Sequence, residues 1–204
     1  MNEIIHNNLI TTTKFKITSA DTDIESRIRI GSLINLLIQS AINSADHLGF
    51  GFKGLEEQKL FWVLSRLTLE ITQPAKWYDE VAVDTWPKDV ERIMYIRDFE
   101  VKDGKNKIIA RATSGWLAID LKTKRPRKID GLHEEMFYHL KDKHGIKELP
   151  EKIDHINEGK HCEVKSTFFD IDLNKHVTAT RYIDWMMDTF PLEFLLKSYP
   201  AKLT

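Results

Sequence analysis

Three polar residues alternate in Asp172-Leu173-Asn174-Lys175-His176, just ahead of an apolar-periodic run that begins at Val177. Where a loop leads into a helix, backbone N–H groups without intrahelical partners and the positive end of the dipole favour negative charge, including an oxyanion. A carbonyl docked there is polarised, an amide such as Asn174 can donate to it, and Asp172 with His176 can orient or deprotonate a water. The pattern fits addition of water to an acyl group. The same residue types also suit a plainer role, in which Asp172 or Asn174 caps the helix and His176 lies in its solvated first turn. Tyr182 and Trp185, about one helical turn apart on one face, read as core.

The loop must be held by a scaffold, and the chain supplies one. Ile30, Leu33, Ile34, Leu37, Ile38, Ala41, Ile42, Ala45 and Leu48 recur at spacings of three and four, which predicts a helix with one broad buried face, ended by Gly49, Gly51 and Gly54. A stripe this wide calls for a sheet wrapped around it. Strand patterns follow over Phe61 to Ile71 (stopped by Gln73-Pro74), Val81 to Thr85 (before Trp86-Pro87), Ile93 to Val101 and Ile108 to Leu121, with Asp103-Gly104 marking a hairpin. A shorter strand-like stretch, Phe15 to Ser19, precedes the helix and is broken at Asp21-Thr22-Asp23. One buried helix followed by antiparallel strands is an α+β order.

The pattern then restarts. Residues 122–160 are polar with little period, open on the basic cluster Lys122, Lys124, Arg125, Arg127 and Lys128, and read as a linker with a short helix around Leu132 to Leu140. Beyond them come a strand-like Glu163 to Phe169, a polar break at Asp170 to Asn174, and a helix through Val177, Tyr182, Trp185 and Met186 that stops before Pro191. Strand, acidic break, helix: this repeats Phe15 to Leu48 and predicts an internal duplication. The expected organisation is an N-terminal unit over 1–121, a linker over 122–160 and the start of a second unit over 161–204, incomplete in this sequence. In the first unit Asp21 and Asp23 occupy the equivalent loop, with Glu25, Arg27 and Arg29 where the second has Asn174 and His176.

Composition narrows the partners. With 204 residues the chain can bury a core without metal or disulfide, and 30 basic against 31 acidic residues argue against a dedicated nucleic-acid binder. The single Cys162 rules out a disulfide framework and a four-cysteine zinc site. The first residues lack a signal-peptide pattern and no apolar run approaches the ~20 residues of a membrane span, so a soluble cytoplasmic protein is expected.

Several segments together resemble one family. Asp172-Leu173-Asn174-Lys175-His176-Val177 with Tyr182-Ile183-Asp184-Trp185 is similar to the second-domain signature of the acyl-acyl carrier protein (acyl-ACP) thioesterases. Asn35-Leu36-Leu37-Ile38-Gln39, Trp62-Val63-Leu64-Ser65-Arg66, Ala112-Thr113-Ser114-Gly115-Trp116 and Thr123-Lys124-Arg125-Pro126-Arg127-Lys128-Ile129 look like its other segments, in the right order along almost the whole chain. The resemblance implies two tandem hotdog units, each a long helix wrapped by an antiparallel sheet, and hydrolysis of the thioester between a fatty acyl chain and the phosphopantetheine of acyl carrier protein. It places catalytic roles on Asp172, Asn174 and His176, needs no metal and no cofactor, and makes the first unit, with Trp62 and Trp116, either core or wall of an acyl tunnel. The family's Asn-Asn after the His is Thr178-Ala179 here. Its further catalytic Glu lies on a strand after the second helix, and neither Glu193 nor Cys162 stands in the matching position, so a chain ending at Thr204 is expected to hydrolyse thioesters poorly.

Carrier proteins of this class are acidic, so Lys122, Lys124, Arg125, Arg127 and Lys128 are the candidate docking cluster if they are more than a solvated connector. Two alternatives stand beside this reading: an acyl-CoA thioesterase of the wider hotdog group, and a non-catalytic acyl- or carrier-binding remnant. The apolar second helix must be covered by the first unit's sheet, by a partner chain in a homo-oligomer, or by residues outside this sequence.

Overall fold

The computed structural model describes residues 9–132, 137–154 and 161–204. Helix α1 (Ile30–His47) buries Ile30, Leu33, Ile34, Leu37, Ala41 and Ala45 on the stripe read from the sequence, and a short α2 (Phe52–Glu57) follows it. The main strands are β1 (Thr11–Lys16), β2 (Leu60–Ile71), β3 (Glu80–Glu91), β4 (Met94–Asp103) and β5 (Ile108–Asp120). Two later helices, α3 (Ala179–Asp188) and α4 (Leu192–Lys197), lead to a two-residue β6 (Lys202–Leu203). The six strands form one antiparallel sheet in the order β1-β3-β4-β5-β2-β6.

The sheet's inner face packs on α1 through Leu69, Val83, Phe99, Val101 and Ala112, which with the helix stripe form the main core. This is the helix-in-sheet arrangement of a hotdog unit. Two strand limits differ from the pattern. β1 lies a few residues early, because after Lys16 the chain turns into the 3-10 segment Ser19–Asp21. β3 does not stop at Trp86-Pro87: a register shift between Pro87 and Asp89 absorbs the missing proline donor and the ladder continues to Glu91.

The polar stretch after β5 is ordered against the sheet. Residues 120–127 turn back on β5, with the Arg127 N–H donating to the Ala118 carbonyl at 2.8 Å. Further on, Leu140 and Ile146 are buried and the chain straps the outer face, where Trp86 is fully buried. There the Lys88 ammonium donates to Asp98 Oδ2 at 2.9 Å and to the Ile146 carbonyl at 2.7 Å, and the Gly145 N–H reaches the same carboxylate at 2.8 Å. Gly145 is pressed onto the sheet so closely that a Cβ would stand 2.8 Å from the Phe99 carbonyl oxygen. The short helix expected around Leu132 to Leu140 lies partly on 133–136, outside the described residues; residues 138–142 run as turns.

The second half departs more. Glu163 to Phe169 forms no strand: these residues are exposed, no described strand offers them an edge, and the segment ends in a 3-10 turn over Phe168–Asp170. Helix α3 lies against α1 rather than across a sheet of its own, with Ile183 and Met187 packed on the main core. Gly31 sits at this contact, where a Cβ would stand 2.2 Å from Asp184 Oδ1. Then β6 extends the edge of β2, pairing Leu203 with Leu69 and Lys202 with Glu70.

The Lys88–Asp98 pair makes a direct stability prediction. Burial raises the Asp98 carboxyl above its usual range, against the pull of Lys88. Removing the cation leaves a buried acid without its main partner, so Lys88→Ala is expected to cost about 3–5 kcal/mol, read as a lower urea midpoint. An unchanged midpoint would mean the pair contributes nothing.

Candidate active site

One buried carboxylate anchors the loop before α3. Asp170 Oδ2 accepts the Thr167 N–H at 2.6 Å and the Thr167 hydroxyl at 2.9 Å, while Oδ1 accepts the Arg181 Nε–H at 2.6 Å. These hydrogen bonds, those from Thr167 foremost, hold the Asp170 carboxyl below its usual range. Its carbonyl takes the Thr178 N–H at 2.9 Å, which closes the loop at the foot of the helix. Inside it, Asp172 Oδ1 accepts the N–H groups of Asn174 at 2.8 Å and His176 at 3.1 Å, the Asp172 N–H reaches the His176 carbonyl at 2.8 Å, and Lys175 takes a left-handed φ of 64°. The three polar residues are thus brought together, and Asp172 spends one carboxylate oxygen on shaping the turn.

The first unit builds the same loop. Thr18 and Asp21 make the anchoring box, Asp23 Oδ1 accepts the N–H groups of Glu25 and Arg27 at 2.9 Å each, Ser26 takes φ 59°, and Thr22 bridges Ile28 as Ile171 bridges Val177. The duplication therefore holds atom by atom in the loops and in the start of each helix. The occupants differ. Arg27 donates to Asp23 Oδ2 at 2.9 Å and to the Leu195 carbonyl at 2.7 Å, so the first loop is tied shut against α4. The His176 side chain instead is exposed, its ring stacked on Phe61 with centroids 5.6 Å apart.

Two clefts meet at the open loop. The larger, about 700 Å³, runs along β2 past Phe61, Leu64 and Arg66, and Asp172, Asn174, His176 and Tyr182 line it. The other, about 450 Å³, lies between α1 and the sheet; Ile38, Ile42, Trp62, Leu64 and Trp116 line it, and Asp172 and Asn174 stand at its mouth. Asn174 thus borders both spaces, whereas His176 borders the first. Trp62 and Trp116, left open between core and tunnel wall, are half-buried and face this second cleft. Tyr182, read as core, is 57% exposed. The pattern missed Phe61, which seats the imidazole; a residue at a strand's first turn of the ladder gives no sign of its cross-loop neighbour. It also missed the anchoring role of Asp170.

The basic residues Lys122, Lys124, Arg125, Arg127 and Lys128 are all exposed, on the turn after β5. The Lys124 ammonium lies 5.5 Å from the centre of the Phe61 ring that carries His176, so this turn adjoins the open loop. Arg127 also pairs with Asp130 at 3.4 Å.

The Asp170 anchor fixes a pH dependence. Its folded carboxyl is lowered, so its contribution to stability is present above the unfolded value of about 3.9 and is lost as the pH falls through the lower folded one. Asp170→Asn should therefore melt earlier than the parent at neutral pH, and the gap should close in strong acid. A gap independent of pH would assign the effect to shape rather than charge.

Residues 8–137 match the family model of the acyl-ACP thioesterase N-terminal domain, and residues 153–204 that of its C-terminal domain. Over 200 residues the chain is 27% identical to oleoyl-acyl carrier protein thioesterase 2, chloroplastic, of Arabidopsis thaliana, covering 89% of this chain and 54% of that one. It is 28% identical to the palmitoyl-acyl carrier protein thioesterase, chloroplastic, of Gossypium hirsutum, covering 99% and 52%. The chain spans about half the length of these curated relatives. Among solved structures, an acyl-ACP thioesterase from Bacteroides thetaiotaomicron superposes with a TM-score of 0.74 at 29% identity, over 99% of this chain and 80% of that one. The 12:0-ACP thioesterase from Umbellularia californica gives 0.74 at 23%, over 95% and 75%, a likeness of fold. Both domain models follow one another along a chain whose two loops have diverged into one tied and one open: it belongs to the acyl-ACP thioesterase family.

Proposed function

We propose that the protein hydrolyses the thioester of fatty acyl-acyl carrier protein and releases a free fatty acid. The observation that carries this reading is the open polar loop at the junction of two clefts, one of them apolar and lying beneath α1. An acyl chain suits the apolar cleft, and the pantetheine arm suits the wider one beside Arg66, which leaves the thioester carbonyl at Asn174. The Asn174 amide donates to the carbonyl oxygen as it gains negative charge. His176, standing in the wider cleft against Phe61, takes a proton from the attacking water and returns it to the departing sulfur. The C–S bond breaks as the new C–O bond forms, giving a fatty acid and the carrier's thiol, with water as the only co-reactant. Asp172 acts through the backbone, holding Asn174 and His176 in register.

The basic turn fits an acidic carrier. Its place beside His176 favours the carrier protein over coenzyme A as the bearer of the arm, since a free pantetheine nucleotide needs no protein-sized patch. The lone exposed Cys162 suits a reducing compartment such as the cytoplasm.

Asn174→Ala is expected to lower turnover of acyl-ACP by about 10²–10³ and His176→Ala by about 10²–10⁴, with unfolding midpoints unmoved because both sit on an exposed turn. Parent-rate hydrolysis by His176→Ala would overturn the site. A separate experiment reverses Lys124 and Arg125 to Glu. Association with acyl-ACP should slow, most at low ionic strength, while hydrolysis of acyl-CoA stays as it was. Equal losses on both substrates would remove the carrier protein from the proposal.

A further inference from the structure

The apolar cleft continues inward. Beyond Trp62 and Trp116 lies a chamber of about 50 Å³, walled by Ala41, Ile42 and Ala45 of α1 and by Phe50, Tyr95 and Phe137, and it shares Ile42, Ala45, Trp62 and Trp116 with the cleft that opens at Asn174. This is room for one or two water-sized groups. Its lining is apolar except for Arg97, on the inner face of β4.

Arg97 is an anomaly there. The residue is 5% exposed, and no carboxylate lines the chamber. Of the five N–H donors of its guanidinium, one is used among the described residues: Nη1 donates to the Thr85 hydroxyl at 3.2 Å. Thr85 in turn donates to the Asp98 carbonyl at 2.9 Å, which points its lone pairs at Arg97 and keeps the guanidinium from folding away. Burial without a counter-charge pushes the Arg97 pKa down to about 9, so at neutral pH it remains a cation. A buried cation with unused donors favours an oxygen acceptor and resists a hydrocarbon end that would strip its remaining hydration.

We infer that Arg97 closes the inner end of the acyl channel and selects for acyl chains that carry an oxygen, a hydroxyl or a keto group, at or near their far end over chains of equal length that end in plain hydrocarbon. The inference rests on the thioesterase reading for the direction of the chain, carbonyl at Asn174 and tail inward. A saturated chain then has to stop short of Arg97, and one that reaches it loses a donor's solvation with nothing in return.

The test uses non-hydrolysable acyl-pantetheine thioethers, in matched pairs ending in a methyl or a hydroxyl group, titrated against the intrinsic fluorescence of Trp62 and Trp116. A free fatty acid is avoided because its carboxylate could enter first and bind Arg97. For the longest chain the channel admits, the parent should bind the hydroxyl member about tenfold more tightly. Arg97→Met, similar in length and apolar, should reverse that preference and accept longer methyl-ended chains. Arg97→Lys, which keeps the charge and is the variant to use if Met does not fold, should retain part of the preference. Equal binding of both members by the parent, or a preference unchanged in Arg97→Met, overturns the inference. Failure of the parent to hydrolyse any acyl-ACP would strike the thioesterase reading alone, since the binding titration needs no turnover.

Discussion

The burial of α1 is the constraint on which everything else depends. Its stripe from Ile30 to Ala45 is too broad to pack on another helix alone, and only a curved antiparallel sheet covers it. Once β1 to β5 wrap the helix, the inner sheet face must be filled by side chains from opposite walls. Alanines at 41, 45, 110 and 112 bring the walls close near the middle, and the large rings of Trp62, Tyr95 and Trp116 hold them apart toward one end. The apolar cleft is the remainder of that packing problem. The open loop before α3 stands at its mouth because α3 leans on α1 at Gly31.

Most of this was legible as periodicity. The α1 stripe, β2, β4 and β5 follow directly from spacings of three and four and from alternation, since those segments are buried on the face the pattern names. Duplication was legible too, although it rests on hydrogen bonds the pattern cannot show: Asp23 and Asp172 each take two backbone N–H groups, a use of carboxylate that looks like any polar break when read as letters. Legibility fails where partners are distant. Glu163 to Phe169 has strand-forming residues and no neighbour to pair with. The stretch through Leu140 and Ile146 has no period, yet it covers the outer sheet face through a few isolated apolar residues and the Lys88–Asp98 pair.

The candidate site was readable in its residues and unreadable in their division of labour. Asp172, Asn174 and His176 do converge, but the Asp172 carboxylate is occupied with the turn, and the support of the imidazole comes from Phe61 on β2. Arg97 was invisible because its neighbours, Ile96 and Asp98, belong to a central strand buried on both faces, where alternation carries no information.

The tie formed by Arg27 has a consequence for stoichiometry. A chain with two like loops could present two like openings, and a ligand would then fill them in sequence with the risk of cross-talk between halves. With its guanidinium held by Asp23 and the carbonyl of Leu195, the first loop has become a clasp that secures the later helices. One chain therefore offers one class of opening, so occupancy saturates as a simple hyperbola, and any sigmoidal response in this protein must arise between chains rather than within one.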